Sequence, residues 1–125
     1  MDAMFVELPS FERLRGRYLS DEAFSSLQKA LLTNPTAGDL VAGTGGLRKL
    51  RHADERRQKG RRSGIRVLYF WFERGREFWL FTLYDKDERL DLSMAQKTLL
   101  KEHVETEVML RENRSLSVKP TRLLQ

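Results

Sequence analysis

Two periodicities of apolar residues divide the chain. Between Ser20 and Thr33, Phe24, Leu27 and Leu31 recur at three- and four-residue spacing, which puts them on one face of a helix. Ser20 stands where a hydroxyl caps the first turn, Asp21 and Glu22 complement the positive end of the helix dipole, and Asn34-Pro35 stops it. Upstream, Phe5, Val6 and Leu8 form a short apolar run that Pro9 ends, predicting a brief first strand, after which Ser10 is placed to cap a short helix. Downstream the period changes. Ile65–Phe72 and Phe78–Tyr84 are rich in aromatic and β-branched residues and flank Glu73-Arg74-Gly75-Arg76, which predicts a hairpin with a glycine-containing connection. Neither run alternates cleanly, so both faces of the resulting sheet are expected to be at least partly covered. The run Ala42–Gly46 (AGTGG) predicts a loop into a further strand, Leu47–His52. After the polar turn Asp85-Lys86-Asp87-Glu88, a last helix is expected from about Ser93, with Leu99, Leu100, Val104 and Val108 on one side.

The predicted order is strand, helix, helix, strand, strand, strand, helix. It describes an α+β domain: an antiparallel central sheet of three strands, two N-terminal helices packed on it and a C-terminal helix. A chain of 125 residues is the size of one domain. Residues 1–110 are assigned to it and 111–125 to a polar, weakly patterned tail expected to fray or to order on a partner.

Charge sharpens this picture. The formal net charge is +5, but it is unevenly distributed: Arg48–Arg66 holds nine basic residues against two acids, Asp54 and Glu55, while the remainder is slightly acidic. Sixteen of the 23 basic residues are arginine, whose planar fork suits phosphate oxygens. Such a segment is the footprint of a polyanionic partner, or else a solvated run that keeps the protein soluble. Other chemistries are excluded. With no cysteine there is no disulfide, thiol nucleophile or thiolate metal site, and the reducing cytosol is the natural compartment. The glycine loop lacks the GxxxxGK[ST] pattern of a nucleotide cradle. The longest apolar run, Val67–Phe72, falls well short of the roughly 20 residues of a membrane span, and no signal-peptide pattern opens the chain, so no membrane partner is expected.

The element order, together with GLRKLR at Gly46–Arg51, the basic loop, SGIRVLYFW at 63–71, FWLFTLYDKDE at 78–88 and DLS at 91–93, resembles the RelE/ParE toxin superfamily, and within it the HigB2-like branch. The resemblance covers about residues 5–110. It implies a bacterial cytoplasmic toxin of a type II toxin–antitoxin system that enters the ribosomal A site and cuts mRNA there, a metal-independent endoribonuclease without cofactor. It further implies neutralisation by a cognate antitoxin, HigA-like with a helix-turn-helix domain, through which alone the toxin meets operator DNA.

Carried over by position, Lys49 and Arg51 match the basic strand residues, Arg66 the arginine of the R-x-x-Y strand, and Tyr84 and Lys86 the Tyr-x-Lys end of the last strand. These five are the candidate catalytic residues. Arg48, Arg56, Arg57, Lys59, Arg61 and Arg62 are read as docking residues for ribosomal RNA. The sequence departs from the branch at Asp87, where asparagine is frequent, and carries no histidine in that turn. Two other functions stay open: a ParE-like inhibitor of DNA gyrase, which needs no catalytic residue, and a non-catalytic RNA- or ribosome-binding module.

Metal-free RNA cleavage needs an in-line 2′-hydroxyl, an acceptor for its proton, a donor to the leaving oxygen, and positive charge on the phosphorane. Arg51 and Arg66 suit the last role. Lys49 or Lys86 suits proton transfer where neighbouring cations lower the amine's pKa, and Tyr84 suits stacking or proton work. Glu88 is the one carboxylate read as near enough in sequence to act as a base, with pairing to Arg89 or a helix end as its simpler role. Trp71 and Trp79 read as core rather than base-stacking platforms, His52 as a possible phosphate contact, and His103 as surface.

Overall fold

The computed structural model describes residues 2–53, 64–88 and 92–124, with side chains described as far as Asn113. Eight elements follow in order: β1 (Met4–Glu7), α1 (Pro9–Tyr18), α2 (Asp21–Thr33), β2 (Asp39–Leu40), β3 (Arg48–His52), β4 (Ile65–Phe72), β5 (Glu77–Asp85) and α3 (Met94–Leu124). The five strands make one mixed sheet in the order β1-β5-β4-β3-β2, in which β1 runs parallel to β5 and all other pairs are antiparallel. The expected antiparallel centre is present, extended by a parallel edge strand and by the two-residue β2. The chain divides into two compact units, Met1–Val41 with Leu47–Asp91, and Ala42–Gly46 with Leu92–Gln125.

In the first unit, α1 and α2 cover one face of the sheet. Phe11, Tyr18 and Leu19, then Ala23, Leu27 and Leu31, close on Ile65, Val67, Tyr69, Phe78, Leu80 and Leu83. The helical spacing of the α2 residues is what puts them on this side. Ser20 caps α2 as its position predicts, accepting from the Ala23 amide at 3.1 Å. Helix α1 starts differently from expectation: Pro9 occupies its first turn, Leu8 is the N-cap without a side-chain bond, and the Ser10 hydroxyl instead bonds the Thr82 hydroxyl at 2.7 Å. Proline needs no partner for an amide it lacks, so the cap is dispensable here.

The missing alternation in β5 has a specific cause. Leu68 pairs with Thr82 but Tyr69 with Leu80, so Phe81 is an extra residue, a β-bulge. On one side of it even-numbered residues (Phe78, Leu80) face the helices; on the other, odd-numbered ones (Leu83) do. The hairpin connection also departs from the simplest expectation. The left-handed residue is Arg76 (φ 52°), not Gly75. Gly75 is required for space instead, because a Cβ there would lie 2.7 Å from the Phe72 ring.

In the second unit, Ser93 and Gln96 exchange bonds at the start of α3, Gln96 N donating to Ser93 Oγ (3.1 Å) and Ser93 N to Gln96 Oε1 (2.9 Å). This is a capping box. The stretch after Arg111, expected to fray, is helical backbone as far as Leu124. Within this unit the stems of Lys97 and Lys101 run beside Gly43 and Gly45.

Candidate active site

Strand register assembles the site. Arg51 stands opposite Arg66, and Arg66 opposite Tyr84, so the three form one row across β3, β4 and β5. One step along the same face, Lys49 stands opposite Leu68, which pairs with Thr82. Because side chains alternate across a strand, Lys49, Arg51, Arg66 and Tyr84 project away from the face that Ile65, Val67 and Leu83 bury under the helices. Neighbours in such a row have their Cα atoms roughly 4.5–5.5 Å apart. Two guanidinium-bearing residues and a phenol are thereby held within side-chain reach of one another.

Electrostatics make this row unusual. Like charges directly opposite on a sheet repel, and among the described residues none of Lys49, Arg51, Arg66 and Lys86 forms an ion pair with a carboxylate. Arg66 is half-buried and its Nη1 donates to the Gly64 carbonyl at 3.3 Å, which steers the group without neutralising it. Lys49 and Arg51 are exposed. Burial raises the Tyr84 phenol above its ordinary value, while the Arg66 charge pulls the other way. Tyr84 is accordingly a neutral hydroxyl at physiological pH, suited to donating a proton and unsuited to accepting one.

Lys86 is exposed in the turn after β5, two residues from Tyr84. That turn is pinned by Glu88 N donating to Asp85 O (2.9 Å) and Asp87 N to Asp85 Oδ1 (3.1 Å). The Glu88 carboxylate is engaged by the Tyr18 hydroxyl at 2.6 Å, a partner that sequence proximity had not suggested. This bond occupies Oε1 of the Glu88 carboxylate with a partner from α1.

Arg48 is not part of the row. It lies on the helix-side face, pairs in register with Tyr69, and its Nη1 donates to the Thr36 carbonyl (3.0 Å) and more weakly to that of Gly38 (3.4 Å). It straps the loop before β2. His52, opposite Ile65, also lies on the side away from the row. Trp79 is buried against Phe70 and Phe72, and Trp71 packs on Phe78 at 4.4 Å between centroids, so both indoles serve the interior. The docking candidates Arg56, Arg57, Lys59, Arg61 and Arg62 lie outside the described residues. The structure adds one residue that the sequence did not single out: Asp39, on the short strand β2, stands opposite Lys49. A two-residue strand carries no periodicity by which it might have been found.

Fold and face together define a small α+β domain with a cationic, phenol-bearing strand row opposite its helix-covered side. No family model matches the sequence. Among solved structures the chain is similar to a double arginine-to-alanine mutant of the Escherichia coli toxin RelE in the free state, at 16% sequence identity and a TM-score of 0.45, covering 66% of this chain and 82% of that one.

Proposed function

We propose that this chain is the toxin of a type II toxin–antitoxin pair and a ribosome-dependent mRNA endonuclease of the HigB2-like kind. The observation that carries the reading is the Arg51–Arg66–Tyr84 row, which brings together from three strands the residues that the sequence motifs single out. In this mechanism the substrate's own 2′-oxygen attacks the adjacent phosphorus, its proton passing to solvent or to an amine. The bond to the 5′-oxygen breaks, leaving a 2′,3′-cyclic phosphate and a 5′-hydroxyl. Arg51 and Arg66 face the phosphorane charge with paired N–H donors. Tyr84 gives its proton to the departing 5′-oxygen, and Lys49 and Lys86 hold the flanking phosphates. DNA lacks the nucleophile and is not cut. The partners of this reading are the ribosome with its mRNA and rRNA, gripped through Arg56, Arg57, Lys59, Arg61 and Arg62, and a HigA-like antitoxin whose helix-turn-helix domain reaches operator DNA. Its compartment is the bacterial cytoplasm.

The test is induction of the wild-type chain and of an Arg66→Ala/Tyr84→Ala variant without antitoxin, with mRNA 5′ ends mapped genome-wide. New cuts within translated frames for the wild type, absent for a folded variant, are expected. Growth arrest with intact mRNA refutes the nuclease and turns attention to gyrase or to passive ribosome blockage.

A further inference from the structure

Lys86 sits on a turn, and a turn by itself is a poor platform for a side chain that must meet a phosphate or a proton within a few tenths of an ångström. What fixes this one is its link to the interior. Tyr18 ends α1 with its ring only 6% exposed, inside the same cluster as Val67, Leu80 and Leu83. Its hydroxyl donates to Glu88 Oε1 at 2.6 Å, a short bond. Glu88 is in turn joined through its amide to the Asp85 carbonyl at 2.9 Å, closing the loop around Lys86 and Asp87. The chain from buried ring to carboxylate to strand end therefore transmits the rigidity of the core to the backbone of Lys86.

We infer that Tyr18 is a positioning residue for the cleavage step, acting through Glu88 on the turn that carries Lys86. The inference rests on the nuclease reading and names a residue on the opposite side of the sheet from the reacting groups. Tyr18 touches no substrate. Its role is to fix the backbone of Lys86, two residues beyond Tyr84, where an orienting contact counts toward turnover more than toward affinity. Glu88 contributes an acceptor oxygen and needs no negative charge for this, so glutamine serves in its place.

The experiment measures single-turnover cleavage of ribosome-bound mRNA by the wild type, Tyr18→Phe, Glu88→Ala and Glu88→Gln, each repeated in a Lys86→Ala background, with melting temperatures alongside. The phenylalanine keeps the buried ring, so folding is retained. Tyr18→Phe and Glu88→Ala should each lower the cleavage rate about tenfold with the half-saturating concentration unchanged, while Glu88→Gln restores it. In the Lys86→Ala background Tyr18→Phe should add nothing. Amide hydrogen exchange at Asp87 and Glu88, read without any substrate, should speed up in Tyr18→Phe. Wild-type cleavage rates in Tyr18→Phe, or a further loss from it when Lys86 is already alanine, overturn the positioning role. If the wild type itself does not cut, the nuclease reading fails; unchanged exchange at Asp87 and Glu88 defeats the positioning contact on its own.

Discussion

Replacing Tyr69 by phenylalanine should reverse its own effect on stability as pH rises. Tyr69 is fully buried on β4, and its hydroxyl is shared between the carbonyls of Pro35 (3.0 Å) and Ala37 (2.6 Å), holding the loop that leads from α2 to β2. Burial lifts its phenol to about 12 from the ordinary 10.0, with the Arg48 charge opposing the rise. At neutral pH the variant loses this hydrogen bonding and leaves two carbonyls underserved, a cost of about 1.5 kcal/mol. A phenol whose folded pKa is raised stabilises the fold fully below the unfolded pKa, and that contribution disappears as pH climbs toward the folded one. For a shift of this size the loss is on the order of 2–3 kcal/mol across the interval, and the wild type has forfeited half of it by about pH 11. The two proteins should therefore be equally stable near about pH 11, with the phenylalanine variant ahead beyond it. Urea unfolding of both proteins from neutral to alkaline pH provides the measurement, every other titrating group being common to the pair. Stability curves that stay parallel would refute the argument, since they would mean that Tyr69 ionises as easily folded as unfolded.

Gly38→Ala should cost at least about 2 kcal/mol in denaturant unfolding, since φ is +88° and the new Cβ would lie 2.4 Å from the Lys49 carbonyl oxygen, a backbone atom with no rotamer to turn aside. Stability unchanged within error would show that β2 can move off β3 freely. Ser20→Ala should cost about 1 kcal/mol through loss of the bond to the Ala23 amide; helicity and unfolding midpoint, followed by circular dichroism, report it.

Much of the core could be read from residue spacing alone, and the reason lies in the kind of signal each element carries. Helix α2 announces itself through Leu27 and Leu31 and is bounded by Ser20 and Asn34, all chemically local features. Strand β4 coincides with its apolar run, Ile65 to Phe72. What spacing could not supply was pairing. The parallel addition of Met4–Glu7 beside β5, and the short β2 beside Lys49, depend on partners distant in sequence. The candidate site shows the same division. Arg66 stood out because a charge inside an apolar strand demands a partner, yet only the register reveals that its neighbours are Arg51 and Tyr84. Arg48, read as a docking residue, and Arg51, read as a catalytic one, come from the same basic run; pleat alternation sends the first to brace the loop at Thr36 and the second to the opposite face. The Tyr18–Glu88 bond joins residues 70 positions apart and left no local trace.

The extra residue at Phe81 makes the location of the chemistry a matter of parity. Counting back along β5 from Tyr84, the phenol and Leu83 hold their respective sides only because one residue upstream goes unmatched against β4. Were that residue matched to Leu68 with Phe78 and Leu80 kept in place, each later side chain would change sides: Tyr84 would turn inward opposite Ile65 and Leu83 outward beside Arg66. The hydrophobic interior and the cationic face are thus two readings of one integer, the single residue of β5 that β4 leaves unmatched.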